Sequence, residues 1–268
     1  MITEHYCQGE AFQAEKRTIF SAEWLPVCAE GQLGKVGDFL SASVGGWSVV
    51  AVRDAAGTLR VLRNACRHQN MPVVGTPSGN CENFRCRFHG WTYDLAGKFL
   101  SSPPPVAPPA SQTERDLAVL ASARQAGLVF FSLAPPGPPP QLGGALPAYG
   151  GTLVTEIDCN WKVVVEHLLT GRPLQADDFI WQGPLLALRR AGTKAIVEQI
   201  VPHTFLRTRL FTHVFGDTAE AHRQPAGVIK HICERLQADR AAGTMPNDDS
   251  PLLANFHRQI EQAYAGSS

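Results

Sequence analysis

The chain has 268 residues, 44% hydrophobic and 18% charged, a globular composition with room for one or two domains and no need of a disulfide scaffold. Lys plus Arg and Asp plus Glu number 24 each, and this zero formal net charge excludes a protein built chiefly to grip nucleic acid, which needs a basic excess. There is no run of about 18 apolar residues, so no membrane span is predicted. Met1-Ile2-Thr3-Glu4-His5 lacks the basic start and apolar stretch of a secretory signal, so the expected compartment is the cytoplasm. Seven cysteines, at 7, 28, 66, 81, 86, 159 and 233, are then expected to stay reduced, and clustered ones suggest metal ligation.

Between 38 and 134 the pattern is that of short antiparallel strands. Trp47 to Arg53 is apolar and β-branched, Asp54-Ala55-Ala56-Gly57 turns it, and Leu59 to Leu62 returns. Trp91-Thr92-Tyr93, Asp94-Leu95-Ala96-Gly97 and Lys98-Phe99-Leu100 repeat the hairpin, and Gly127 to Phe131 is a further strand. Pro103 to Pro109 and Pro135 to Pro140 are extended connectors. The second, with Gly143-Gly144, makes 135–150 a linker. Trp161 to Leu169 reads as a helix stopped by Gly171 and Pro173. Val197 to Val201 and Thr204 to Phe215 read as strands. Val228, Ile229, Ile232 and Leu236 predict one apolar helix face, and Leu252, Leu253, Phe256, Ile260 and Tyr264 predict another on a helix opening at Asp249 or Ser250 with Pro251 first.

Cys66-Arg67-His68 is followed, after 17 residues, by Cys86-Arg87-Phe88-His89. Two loops each offering one thiolate and one imidazole suit a closed zinc site. They equally suit a [2Fe–2S] cluster with two Cys on one iron and two His on the other. The runs Asn64-Ala65-Cys66-Arg67-His68 and Cys86-Arg87-Phe88-His89-Gly90-Trp91-Thr92-Tyr93-Asp94 resemble the Rieske domain of ring-hydroxylating (Rieske non-heme iron) oxygenases, and the resemblance selects the cluster. It implies Cys66, His68, Cys86 and His89 as ligands, with Gly90 where backbone passes close to the cluster. Met71 and Phe88 stand where Rieske proteins of cytochrome complexes carry a disulfide, so that bridge is not expected. Trp91 replaces their serine donor while Tyr93 is kept, which implies a potential toward the low end of the range of about −150 to +300 mV. Cys81 is outside the pattern and reads as a small half-buried residue. Arg63, Arg67, Arg85 and Arg87 read either as a basic docking rim for an acidic electron donor or as partners of Glu82, Asp94 and buried neighbours.

Phe12 to Trp24 resembles the family's N-terminal segment, and Asn160 to Glu166 the start of its iron-site helix. In that family the helix continues through Glu-Asn, an acidic bridging residue, a Tyr-His pair and a second His, which with a distant Asp form the 2-His-1-carboxylate site for Fe(II). Here the matching positions read Glu166-His167, Thr170, Arg172-Pro173 and, at or near the second His, Asp178. Asp249 resembles the distant carboxylate and is the residual candidate ligand. Mononuclear Fe(II) is therefore expected to be absent. A relocated site would draw on His167, Asp177, Asp178, His203, His213 and Asp249. His203 and His213 read as hydrogen-bonded strand residues, His222, His231 and His257 as solvated, and Trp161 and Trp181 as core aromatics.

The implied fold is α+β: an all-β Rieske [2Fe-2S] domain over 38–134, inserted in a reduced, helix-grip-like α+β domain (1–37 plus 151–268) resembling the oxygenase catalytic domain. No Ser-His-Asp, P-loop or G-x-G-x-x-G signature is present, so electrons are expected from an electron-donor reductase or ferredoxin. The implied role is a redox subunit that feeds a catalytic oxygenase subunit in a homo- or hetero-trimeric ring. Two other readings stay open: an active mono- or dioxygenase of a small organic substrate with atypical iron ligands, and a structural or regulatory pseudo-subunit.

Overall fold

The structure, a computed structural model, describes residues 3–104, 111–134, 137–171, 178–245 and 250–265. It divides into two compact units, Val27–Pro135 and the combination of Met1–Pro26 with Pro136–Ser268. In chain order the N-terminal segment forms the short helices α1 (Glu4–Cys7) and α2 (Gly9–Glu15), the latter continued by a π-turn at Lys16–Phe20.

The first unit is all β apart from short helical turns. Its strands are β1 (Leu25–Ala29), β2 (Asp38–Val44), β3 (Trp47–Arg53), β4 (Leu59–Arg63), β5 (Ser78–Asn80), β6 (Phe84–Arg85), β7 (Thr92–Tyr93), β8 (Phe99–Ser101), then helix α3 (Gln112–Arg115), β9 (Val119–Gln125) and β10 (Leu128–Ser132). One sheet runs β1-β10-β9-β4-β3-β2-β5 and a smaller one β6-β7-β8. The unit begins at Val27 rather than at residue 38 because β1 lies beside β10 at the sheet edge.

The two Asp-x-x-Gly turns are built alike. Asp54 Oδ1 accepts the amides of Ala56 and Thr58 at 2.9 and 2.8 Å, and Asp94 Oδ1 those of Ala96 and Lys98 at 2.9 and 2.8 Å. Gly57 and Gly97 supply the left-handed conformation that closes each turn, at φ +77° and +89°. Val50, Val52, Leu62, Phe84, Trp91 and Tyr93 belong to the core that both sheets share.

The second unit continues with β11 (Tyr149–Ile157), α4 (Trp161–Thr170), β12 (Asp178–Gln182), β13 (Leu186–Ala191), β14 (Lys194–Thr204), β15 (Arg207–Phe215), α5 (Arg223–Ala241) and α6 (Pro251–Ala265). The antiparallel sheet is ordered β11-β15-β14-β13-β12. Asn160 caps α4, its side chain accepting from the Lys162 amide at 3.0 Å. Thr204 ends β14 instead of opening β15; Phe205 and Leu206 form the hairpin turn. Among the described residues no helix is long and apolar enough to cross a membrane.

Helix α5 departs from the apolar face expected of it. Its buried residues are Ala226, Cys233, Gln237 and Arg240, while Val228 is exposed. Polar bonding sets this face: Gln237 accepts the Asn160 amide at 2.8 Å, and Arg240 pairs with Glu166 at 3.0 Å. On α6 the buried residues are Leu253, Phe256 and Ile260, and Leu252 turns outward.

His213, on β15, is wholly buried with both ring nitrogens engaged, Nδ1 with Thr152 Oγ1 at 2.7 Å and Nε2 with Gln199 Oε1 at 2.9 Å. The Gln199 amide nitrogen donates to the Pro26 carbonyl at 2.9 Å, so its oxygen accepts from His213 Nε2–H and the ring is neutral. Burial pushes the His213 pKa down to about 3. The unfolded chain then takes up this proton from about pH 6.5 downward while the folded chain does not. Stability is complete above pH 6.5 and falls as the pH drops toward 3, with a loss from this group of about 2 kcal/mol by pH 5. Denaturant titrations at pH 7 and 5 check it: His213→Asn should show a pH difference smaller by that amount, and equal differences would refute the assignment.

Candidate metal centre

The two cysteine loops share one backbone plan. The Cys66 amide donates to the Met71 carbonyl at 2.8 Å, and the Asn70 amide returns to the Cys66 carbonyl at 2.7 Å. The Cys86 amide donates to the Trp91 carbonyl at 2.8 Å, and the Gly90 amide returns to the Cys86 carbonyl at 2.9 Å. Asn70 and Gly90, each four residues after its cysteine, take positive φ of 57° and 71°. At Gly90 a Cβ would also lie 2.8 Å from Pro103 Cγ, so that ring and the left-handed backbone demand glycine. Asn64 clamps the base of the first loop, exchanging two hydrogen bonds of 2.9 Å with the Val74 backbone.

This plan sets the motif side chains in two pairs, thiol beside thiol and imidazole beside imidazole. Cys66 and Cys86 are both 2% exposed. Burial raises the Cys66 thiol above its ordinary pKa, and the neighbouring Cys86 sulfur adds to the rise. The His68 and His89 rings stand 4.7 Å apart and nearly perpendicular, with His89 exposed. His68 stacks on Trp91 at 5.3 Å and 11°, and its Nδ1 is buried with no hydrogen-bond partner. Tyr93 Oη accepts the Arg67 amide at 3.1 Å and lies 3.3 Å from Cys66 Sγ, which leaves its own proton for the sulfur.

A sulfur pair and an imidazole pair with an unclaimed ring nitrogen fit a binuclear cluster, which needs two protein ligands per iron.

The flanking arginines differ in their surroundings. Arg85 and Arg87 are exposed and make no ion pair among the described residues. Arg67 donates to the Glu114 carbonyl at 3.0 Å. Arg63 stacks on Trp47 at 4.4 Å, with Nη1 buried and unpartnered. Asp94 serves its own turn, so it is not their counter-ion.

In the second unit, Asp249 lies outside the described residues, as do Arg172, Pro173 and Asp177. Asp178 pairs with Arg190 at 2.8 Å, and His203 is exposed at the end of β14. Glu166 accepts from Tyr6, from Arg240 and, at 2.9 Å, from His257. His257 is therefore no solvated surface residue: the buried Glu166 carboxylate draws it in. His222 is likewise half-buried, with Nε2 shielded from solvent. Trp161 is fully buried against Phe20 and Phe256, and Trp181 meets the edge of Phe256.

Residues 23–120 match the family described as the Rieske [2Fe-2S] domain. The chain is 30% identical over 187 residues to the biphenyl dioxygenase α subunit of Metapseudomonas furukawaii, a match covering 60% of this chain and 41% of that one. It is 35% identical over 98 residues to a benzene 1,2-dioxygenase α subunit of Pseudomonas putida, covering 37% and 22%. The chain thus spans less than half the length of these relatives. A quaternary ammonium Rieske monooxygenase superposes with a TM-score of 0.77 at 18% identity, covering 98% of this chain and 94% of that one. Naphthalene 1,2-dioxygenase superposes with a TM-score of 0.65 at 16% identity, covering 100% and 80%. The cysteine-histidine loops thus sit in a Rieske [2Fe-2S] domain, and the chain that carries it is homologous to the α subunits of ring-hydroxylating oxygenases.

Proposed function

We propose that this chain is a redox subunit of the Rieske oxygenase family, which binds a [2Fe-2S] cluster through Cys66, His68, Cys86 and His89 and works without a mononuclear iron of its own. A bound cluster supplies one-electron transfer at a potential set by its surroundings. The observation that carries the reading is the contrast between the two units. The motif histidines stand ring beside ring and the motif thiols neighbour each other, which supports a cluster, while the helix expected to hold Fe(II) ends in Thr170 and Gly171, and its carboxylate Glu166 is consumed by Tyr6, Arg240 and His257. His213 and Asp178 are bound to other protein groups, which leaves them unsuited as substitutes.

In this reading the exposed Arg85 and Arg87 form a docking rim for a reductase or ferredoxin with an acidic surface. A catalytic oxygenase subunit in a trimeric ring receives the electron. The test is iron content and oxygen consumption with a reductase supplied. Two irons per chain and no substrate-dependent O₂ uptake support the proposal. A third iron visible as an Fe(II)–nitrosyl signal, or substrate-dependent uptake, would establish the chain as an oxygenase with atypical ligands.

Tyr93 carries a prediction of its own. Tyr93→Phe removes a hydroxyl placed 3.3 Å from Cys66 Sγ, and with it a donor that favours the more negative, reduced cluster. A net hydrogen-bond contribution of about 1 kcal/mol corresponds to a drop on the order of 40 mV for a one-electron couple. Protein-film voltammetry of both forms at equal iron content checks it, and an unchanged or raised potential would show that the hydroxyl does not serve the sulfur.

A further inference from the structure

The second unit holds a cavity of about 690 Å³ between α4, the start of α5 and one face of β13, β14 and β15. A cavity of this size is ample for a small organic ligand. Its walls include Leu168, Ile196, Ala226 and Ile229, with no Phe, Tyr or Trp among the lining residues. Four buried polar atoms among the lining residues make no hydrogen bond: Arg189 Nε and Thr212 Oγ1 have no polar partner at all, while Glu198 Oε2 has only its ion pair with Arg189 and His222 Nε2 only the Asp217 carboxylate at 3.7 Å. Such atoms are costly to bury unless something supplies the missing bond, and Arg189 Nε and Thr212 Oγ1 line the same cavity.

Sheet register explains how they meet. Glu198 pairs directly with Thr212 across β14 and β15, so both side chains share one face. Arg189 sits opposite Ile196 on β13 and reaches Glu198 Oε2 with its Nη2 at 3.1 Å.

The charges decide what kind of molecule fits. Arg189 and Glu198 neutralise each other. Arg190 is taken by Asp178 and by the carbonyls of Leu142 and Gly144, and Lys194 by Asp217. His167, which also lines the cavity, is held below its ordinary pKa by burial and by Arg189, and stays neutral. Among the described residues no unpaired lysine or arginine is left at the cavity to hold an anion, and no unpaired carboxylate to hold a cation. What the site lacks is an acceptor for Arg189 Nε–H and a donor for Thr212 Oγ1. A single hydroxyl provides both.

We propose that this cavity is a binding site for an uncharged alcohol with an aliphatic or alicyclic body, its hydroxyl seated among Arg189, Glu198 and Thr212 and its hydrocarbon part against Leu168, Ile196 and Ala226. The site needs no iron and holds whether or not the chain serves as a redox subunit.

The test is isothermal titration calorimetry on the full cluster-loaded chain with 4-ethylcyclohexanol, its methyl ether and the matching carboxylate. The alcohol should bind at least about tenfold more tightly than the ether, which lacks the proton for Thr212 Oγ1, and the carboxylate should not bind. Thr212→Val should weaken the alcohol by about tenfold and leave the ether unchanged, and Ala226→Leu, which fills the cavity, should abolish both. Equal affinity for alcohol and ether, or no heat from any probe with the unaltered folded chain, overturns the proposal. Because the probe series requires no substitution, it decides the matter even where a variant fails to fold. Because it reads binding rather than iron or O₂ uptake, its failure leaves the redox-subunit reading standing, and the failure of that reading leaves the cavity untouched.

Discussion

Lys162→Met is expected to destabilise the second unit by about 3–5 kcal/mol, the usual cost of stripping one partner from a buried ion pair. Lys162 and Glu15 are both fully buried and bound to each other, and the Glu15 carboxylate also accepts from Trp161 Nε1 at 2.7 Å and from the Tyr264 hydroxyl. Burial, and then the adjacent Glu15, raise the Tyr264 pKa, so its hydroxyl keeps its proton and remains a donor. Removing the ammonium leaves a fully buried carboxylate with two neutral donors and no counter-charge. The knot joins α2, α4 and α6, so the loss is felt by three elements at once. The double variant Glu15→Gln, Lys162→Met keeps an acceptor for Trp161 and turns the amide N–H toward the Tyr264 hydroxyl, which can accept it, while removing both charges. It should recover a large part of the loss, because neutral replacements of a buried pair are often tolerated. Urea denaturation of the single and double variants decides the point. A cost below about 1 kcal/mol for Lys162→Met would show that the pair is solvated and not structural.

The parts of the molecule that were legible in the sequence are those governed by local chemistry. Asp54-Ala55-Ala56-Gly57 and Asp94-Leu95-Ala96-Gly97 announce turns because an aspartate and a left-handed glycine close them without outside help. Cys66-Arg67-His68 and Cys86-Arg87-Phe88-His89 are readable because the donor atoms lie within a few residues of each other.

What stayed hidden depends on partners far along the chain. Lys162 sits between Trp161 and Val163, and nothing nearby reveals that Glu15, 147 residues away, neutralises it. Gln237 and Arg240 look like the solvent side of α5, yet the Asn160 amide and the Glu166 carboxylate turn that stripe inward. Glu198 did leave a trace, as a single charge within the run Ala195-Ile196-Val197-Glu198-Gln199-Ile200-Val201. A lone carboxylate on a central strand marks a ligand or a buried counter-ion, here Arg189.

Cys86→Ser is expected to leave the chain with less than about a tenth of its normal iron, because serine is a poor substitute for the thiolate that iron–sulfur clusters require. The fold around it should survive without metal. Cys86 lies directly after β6, its backbone is held by Trp91 and Gly90, and its side chain is nearly isosteric with serine. Circular dichroism should therefore change little while the visible cluster absorption and the EPR signal of the reduced cluster disappear. Cys81→Ser is the matching control. Cys81 lies between the two loops, tied by its amide to the Gly37 carbonyl at 3.1 Å, and its loss should leave iron content unchanged. With iron content controlled in this way, the variant also separates an electron-transfer role from a structural one. Added to a catalytic oxygenase subunit and a reductase, Cys86→Ser should suppress the turnover that the unaltered chain supports. Undiminished turnover with an iron-free, folded variant would leave the chain a scaffold and remove electron transfer from its role.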